Sequence, residues 1–367
     1  MVSKLMICLV MLIPFFTIQS QDSPVITPEN VDNLAVFRRI SPGDFGFPDA
    51  EIMQFAFAPG NPQLVVAMQG ELYRRNALIG LYDVEQNEAI VLIEDQTFRS
   101  TGYRTTGLYF STDANLLVST GSSGFIVWDI IQHEYLFGGS PAGTPIITPD
   151  NHYMIILTGN VAHIWDIQQQ REVDRRQFSC VSPIVIDGQR VECFQRMEST
   201  FLVEVYDLPS FDLIDTYEVE NPRPGHSGNS SVVASNSGDL VADLDQERHI
   251  ILRSSITGDH LLTISQPGQN AYQWYEYRFY LEDRYFGVLG MSSSILELYA
   301  VADCYATTDR EINLRTGPGT EFDNPTIMQP GERLTIVEQL QQGNHLWMRL
   351  GIDLWVREDV IEMQGDC

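Results

Sequence analysis

The chain has 367 residues, 44% of them hydrophobic and 19% charged, with acidic residues outnumbering basic ones 49 to 22 for a formal charge of −27. That apolar content supports a sizeable core and excludes wholesale disorder, the length allows two domains, and the charge sets the chain against phosphate backbones and anionic lipid surfaces. Lys4 is the only lysine, so a mature chain without its N-terminus has no Schiff-base, P-loop or Ser-Lys chemistry.

Residues 1–20 read as a secretory signal peptide. Lys4 supplies the positive end, Leu5 to Phe16 is an apolar run of 12, and Ser20 offers a small residue for cleavage. The run is short for ~30 Å of hydrocarbon. The expected product is secreted or extracytoplasmic, with no membrane span once the signal is cleaved. Loss of Cys8 leaves Cys180, Cys193, Cys304 and Cys367. An even count in an exported chain argues for disulfides. Of the three possible pairings, 180–193 and 304–367 keep each bridge within one structural unit. A two-residue turn at Asp187-Gly188 would set Cys193 opposite Ser182 with Cys180 diagonal to it, so that first bridge needs a bulge or a loop position for Cys180.

A repeat organises the middle of the chain. Leu78-Ile-Gly-Leu-Tyr-Asp-Val84, Phe125-Ile-Val-Trp-Asp-Ile130, His163-Ile-Trp-Asp-Ile167, Leu202-Val-Glu-Val-Tyr-Asp-Leu208 and Ile295-Leu-Glu-Leu-Tyr-Ala-Val301 share an apolar run ending in an aromatic, mostly followed by Asp. Ile250-Ile-Leu-Arg-Ser-Ser255 fits the same place with Arg253 where the aromatic should be. The aligned positions 82, 128, 165, 206, 253 and 299 are spaced by 46, 37, 41, 47 and 46 residues, close to the period of about 40–45 for a four-stranded propeller blade. Polar turns such as Phe110-Ser-Thr-Asp-Ala-Asn115 and Ile147-Thr-Pro-Asp-Asn151 precede the markers, as hairpins require. Stacking such sheets radially buries faces that one sheet alone leaves wet. The last repeat lacks an outer strand after Val301, so Val36-Phe-Arg-Arg-Ile40 is expected to pair with it and close the ring.

Through Trp128-Asp129, Trp165-Asp166 and these turns, residues 30–301 resemble WD40-type propellers. No Gly-His dipeptide precedes each blade, so that family's hydrogen-bonded tetrad does not carry over. The expectation is an all-β, six-bladed WD40-like propeller, or seven-bladed if residues 85–105 hold a degenerate strand pair.

After Val301 the pattern changes. Asn313-Leu-Arg-Thr-Gly-Pro-Gly-Thr-Glu-Phe322, Met328-Gln-Pro-Gly-Glu-Arg-Leu334, Leu346-Trp-Met-Arg-Leu350 and Trp355-Val356 together resemble the bacterial SH3 family over residues 304–367. Leu354 departs from it, standing where a Gly commonly precedes the Trp. The resemblance implies a small SH3-like barrel, a bacterial source and attachment to cell-wall or peptide ligands. By that resemblance Trp347, Trp355 and Arg315 are the candidate contact residues. Strand alternation points Trp347 away from the core that Met348 and Leu350 enter. A barrel of this size is marginal alone, so a Cys304–Cys367 bridge would staple both its ends.

No catalytic constellation stands out. Asp243 and Asp245 share a strand face but read as solvated, His163 reads as a packing residue, no Gly-x-Ser-x-Gly elbow occurs, and no metal or cofactor is expected. Asn229-Ser-Ser231 is a glycosylation sequon without meaning in a bacterium. The reading is an exported non-enzymatic scaffold, its propeller a platform for a protein partner and its C-terminal module an anchor. The alternative is an extracytoplasmic hydrolase with converging carboxylates at the propeller's axial mouth.

Overall fold

The architecture was read from a computed structural model, which describes residues 24–70, 78–94, 105–177, 182–186, 190–197, 200–208, 210–219, 233–245, 249–264, 275–290 and 295–367. The signal segment 1–20, Cys180, the Asp187-Gly188 turn and the Asn229 sequon lie outside those residues. Among the described residues no helix is long and apolar enough to cross a membrane.

Five separate four-stranded antiparallel sheets span 50–94, 105–139, 144–177, 182–219 and 233–264. Each uses its marker segment as the third strand, from Leu78–Asp83 in the first to Ile250–Ser254 in the fifth. The marker has a local cause. Its aromatic is buried where the strand ends, as with Trp128 at 1% exposure. The following Asp turns outward and accepts a backbone N–H of the next turn. Asp83 receives Gln86 N–H, Asp129 receives Gln132 N–H and Asp166 receives Gln169 N–H, each at 2.8 Å. Aspartate is favoured there because its short side chain substitutes for a missing backbone acceptor.

The turns between first and second strands use hydroxyls in the same way. Ser111 Oγ accepts Leu116 N–H at 2.9 Å, Thr148 Oγ1 accepts Tyr153 N–H at 3.0 Å, and Ser235 Oγ accepts Leu240 N–H at 3.1 Å. These turns also tie sheets together. Asn151 Nδ2 donates to Asp113 Oδ2 at 2.7 Å, joining the third sheet to the second.

The final repeat differs. Tyr275–Tyr280, Tyr285–Gly290 and Leu296–Val301 form three strands. The N-terminal strand Leu34–Ile40 pairs antiparallel with the last of them, from Leu34 opposite Val301 to Ile40 opposite Leu296. Ring closure by residues 36–40 therefore occurs as the sequence predicts. The quartet is not a free-standing sheet, however. Val36 also pairs parallel with Leu334, and the sheet runs on through 304–367 to a total of nine strands. The count of independent blades is five, which corrects the expected six or seven: the closing strand lends its second edge to the C-terminal segment.

That segment is all-β. Leu334–Gln342 pairs with Cys304–Thr307 and His345–Leu350, the latter with Trp355–Arg357, and Cys304–Thr307 with Glu362–Gly365. Cys304 and Cys367 are joined by a disulfide with Cα atoms 5.0 Å apart. Leu314, Met328, Met348 and Val356 belong to the same apolar cluster as Leu252, Phe286 and Val288 of the propeller. Polar bonds reinforce this shared core. Val36 N–H donates to Arg333 O at 2.9 Å, Arg333 Nη1 to Asp32 O at 2.6 Å, and Asn87 Nδ2 to Asp353 Oδ2 at 2.8 Å. Arg39 spans Glu297 of the propeller and Glu332 of the C-terminal segment.

In the fourth sheet Cys193 sits opposite Pro183, and Ile186 opposite Arg190. The register is thus one residue off the two-residue turn that would have set Cys193 against Ser182. Cys193 is disulfide-bonded.

Candidate binding site at the propeller axis

The first strand of each sheet is the innermost. Ala50–Phe57, Thr105–Phe110, Thr144–Ile147 and Tyr275–Tyr280 converge on a cavity of about 650 Å³, with Asn236 from the fifth sheet at its edge. That size suits a small ligand or a few side chains of a partner.

Its wall is largely aromatic. Phe57 and Tyr280 stack at 3.8 Å with planes 9° apart, and Phe55 meets Phe57 edge-on at 5.5 Å. Gly287 on the neighbouring strand makes room for this pair, since a Cβ there would lie 3.0 Å from both Phe55 and Phe57. Tyr280 donates from its hydroxyl to Gln63 O at 3.3 Å, and burial raises its phenol well above the ordinary range. Ile146, Ile147 and Leu108 supply aliphatic surface.

The charged part is compact. Arg278 lines the cavity and donates through Nη2 to Glu276 Oε1 at 2.8 Å. The Arg278 side chain is 52% exposed and that of Glu276 20%. Burial pushes the Glu276 carboxyl above its ordinary value, against the opposing pull of Arg278. Tyr109 of the second sheet lines the same cavity as Arg278; burial raises its phenol, with Arg278 pulling it down. The cavity thus offers one accessible guanidinium on an apolar, aromatic wall.

The raised Glu276 pKa sets a pH dependence. The folded chain holds this proton more tightly than the unfolded chain, so the associated stability is present at low pH and is lost as pH rises through the raised folded value. E276Q removes the ionisation. Its melting temperature is expected to gain on the wild type as pH climbs from below 4.5, the group's ordinary value, towards neutrality. A wild-type minus E276Q difference independent of pH would contradict this.

The mouth carries backbone strain. Leu281, Glu282 and Asp283 have φ of 49°, 53° and 67°, three consecutive non-glycine residues in the left-handed region. Asp283 is 1% exposed and holds them there. Its carboxylate accepts Asn236 N–H at 2.7 Å and Ser237 N–H at 2.8 Å from the fifth sheet, while its carbonyl accepts Ile26 N–H at 2.8 Å. Such strain persists only where surroundings over-determine it.

The residues singled out from the sequence lie elsewhere, in the C-terminal segment. Trp347 is 4% exposed and stands outside the apolar cluster that takes Met348 and Leu350, so it is buried on the other face of its strand. Its strand is hydrogen-bonded along both edges, with Trp347 opposite Leu340 on one side and Arg357 on the other. Arg315 Nη1 donates to Thr320 O at 3.0 Å and Phe322 O at 2.8 Å, clasping the Gly-Pro-Gly loop. Trp355 is half-buried and exchanges backbone hydrogen bonds with Arg315 at 2.9 and 2.7 Å. Trp355 and Arg315 are therefore adjacent, and Trp347 lies on the strand beyond, two residues from Arg349, which pairs with Trp355. His163 is buried with its Nδ1 2.8 Å from Glu172 Oε1, a paired packing residue. Among the described residues no three His, Cys, Asp or Glu side chains gather as a metal site would require.

Sequence reasoning missed Tyr109, Glu276 and Arg278. The signal was faint: Tyr275–Tyr280 alternates charge with aromatics, Glu276 and Arg278 against Tyr275, Tyr277 and Phe279.

Comparison with solved structures places the chain beside WD40 propellers. It is similar to the β-propeller domain of Cps50 (Swd1) from Myceliophteria thermophila at 12% identity and a TM-score of 0.51, covering 69% of this chain and 98% of that one. It is similar to the WD40 repeats of RRP9 at 12% identity and a TM-score of 0.50, covering 76% and 100%. At such identities the likeness shows the fold alone: the chain contains a β-propeller. No protein-family model matches the chain, and no curated protein matches it.

Proposed function

We propose that the chain is an exported, non-enzymatic scaffold that docks a protein partner at the propeller axis. The carrying observation is the axial cavity, with its stacked Phe57–Tyr280 wall and the single guanidinium of Arg278. Aromatic surface beside an accessible arginine is the composition of an interaction hot spot. Among the described residues Glu282 is the one carboxylate on the cavity lining, and Glu276 is held by Arg278. In this reading the closing quartet seals the ring of five blades. Residues 304–367 form an SH3-like barrel that engages a cell-envelope or peptide ligand, with Trp355 and Arg315 at its contact face. The acidic surface, a formal −27, favours partners with basic patches.

Purified chain would be presented to cell-envelope extracts and to peptidoglycan fragments, beside R278A and Y109A. The expected result is retention of a protein partner that R278A weakens about tenfold, the scale of one hot-spot contact. Equal retention by both variants would remove the axis as the docking site, and no retention by the wild type would remove the scaffold reading.

A further inference from the structure

The turn at the axial mouth is unlike its counterparts. Between their first and second strands, the first, second, third and fifth sheets each use a single left-handed residue: Gly60, Ala114, Asn151 and Gly238. The final quartet uses Leu281, Glu282 and Asp283 in a row, and none is glycine. Each of these residues sets its Cβ against its own backbone, so the turn keeps this form only while contacts outside the hairpin hold it.

One holder is the fifth sheet, through Asn236 and Ser237 N–H at the Asp283 carboxylate. The other is the stretch 25–33, which precedes the closing strand and belongs to no sheet. Its Ile26 N–H donates to Asp283 O at 2.8 Å. The stretch is itself firmly placed. Thr27 N–H donates to Asn30 Oδ1 and Asn30 Nδ2 to Val25 O, both at 2.8 Å, which closes it into a tight loop. Ile26 and Val31, each 1% exposed, enter the core shared by the propeller and the C-terminal segment. Its far end is tied twice: Asp32 O accepts Arg333 Nη1 at 2.6 Å, and Asn33 O accepts Ala302 N–H at 3.0 Å.

We propose that residues 25–33 are a strap that positions the axial mouth: anchored on Arg333 of the C-terminal segment, the strap uses Ile26 N–H to hold Leu281 and Glu282 on the cavity wall. Ile26 is a positioning residue, acting through Asp283 and standing outside the cavity lining. Asp283 joins the three parties. Its carboxylate ties the fifth sheet, its carbonyl ties the strap, and its neighbours Leu281 and Glu282 line the cavity. The C-terminal segment therefore reaches the axis along one short stretch of chain with a hydrogen bond at each end. The proposal rests on the docking reading of the axis only for what the mouth receives.

Amide hydrogen exchange on the full chain tests the strap. It is read at Asn236, Ser237 and Arg284, whose N–H groups bond to Asp283 Oδ1, Asp283 Oδ2 and Leu281 O. Proline has no N–H, so I26P should speed exchange at these three amides about tenfold, the scale of one lost hydrogen bond. I26V keeps the donor and should stay within about twofold of wild type, while R333A, which removes the anchor at Asp32 O, should speed exchange about threefold. Leu116 and Tyr153 N–H, in the counterpart turns of the second and third sheets, report on the rest of the ring and should not move. An unchanged mouth in I26P overturns the proposal, and so does an equal rise at Leu116 and Tyr153, which marks general loosening. A mouth that I26P moves and R333A does not overturns the anchorage. Docking is read separately: I26P should weaken by about threefold the retention that R278A weakens. A wild type that retains nothing removes the docking reading, and the exchange rates still decide the strap.

Discussion

Replacing Asp283 by alanine is expected to lower the unfolding free energy by about 3 kcal/mol, because two buried backbone donors lose a charged acceptor. The carboxylate receives Asn236 N–H and Ser237 N–H across a boundary between sheets, and the residue is almost fully buried. Alanine also tolerates the left-handed backbone poorly. Asparagine tolerates it well but keeps one acceptor oxygen, leaving either Asn236 N–H or Ser237 N–H against an amide donor, so D283N separates one lost bond from the backbone strain and should cost about half as much. Urea titration of the three proteins measures the difference. Glu282 and Leu281 line the cavity mouth and share the strained turn, so D283A should also weaken partner retention at the axis. Stability within about 0.5 kcal/mol of wild type in D283A would show that the clasp does not hold the turn.

The second large effect is expected at Gly351, on the far side of the closing strand. A Cβ there would land on the Phe37 carbonyl oxygen, well inside van der Waals contact, and the obstacle is backbone that has no rotamer to change. Gly351 also donates its N–H to Thr335 O at 2.8 Å and receives Arg38 at its carbonyl. G351V should therefore cost about 3 kcal/mol, at the upper end for overpacking, by prising Leu334–Gln342 from Leu34–Ile40. Those contacts lie in a core shared by propeller and C-terminal residues. Unfolding should accordingly stay a single transition, with Trp128 and Trp165 of the propeller and Trp347 and Trp355 of the C-terminal segment changing at one urea midpoint. If the C-terminal tryptophans alone shifted in G351V, the segment would be an independent bead rather than part of the ring's closure.

That coupling bears on the proposed role. A tethered anchor could swing relative to the platform, whereas Arg39, bound to both Glu297 and Glu332, fixes the two together. The axial cavity and the Arg315–Trp355 edge then stand at a constant separation. A partner that engages both pays little ordering entropy.

What the sequence determined by itself was local and periodic. The aromatic at 82, 128, 165, 206 and 299 marks the third strand because it fills the blade where the strand ends, and in the first three the Asp that follows caps the next turn; both are short-range requirements. Position 253 kept its place even with Arg. The closing strand was legible for a similar reason, since a final repeat without an outer strand leaves an edge that some other segment must cover. Tertiary structure alone decided the rest. Tyr109, Glu276 and Arg278 come from strands far apart in sequence, and only radial closure brings them to one axis. The burial of Trp347 was hidden because alternation assigns a side chain to a face of its sheet and says nothing of what covers that face. The merging of the last quartet with residues 304–367 could not be read either, because which partner takes the free edge of Leu34–Ile40 depends on where two units meet, and no residue pattern within either one encodes it.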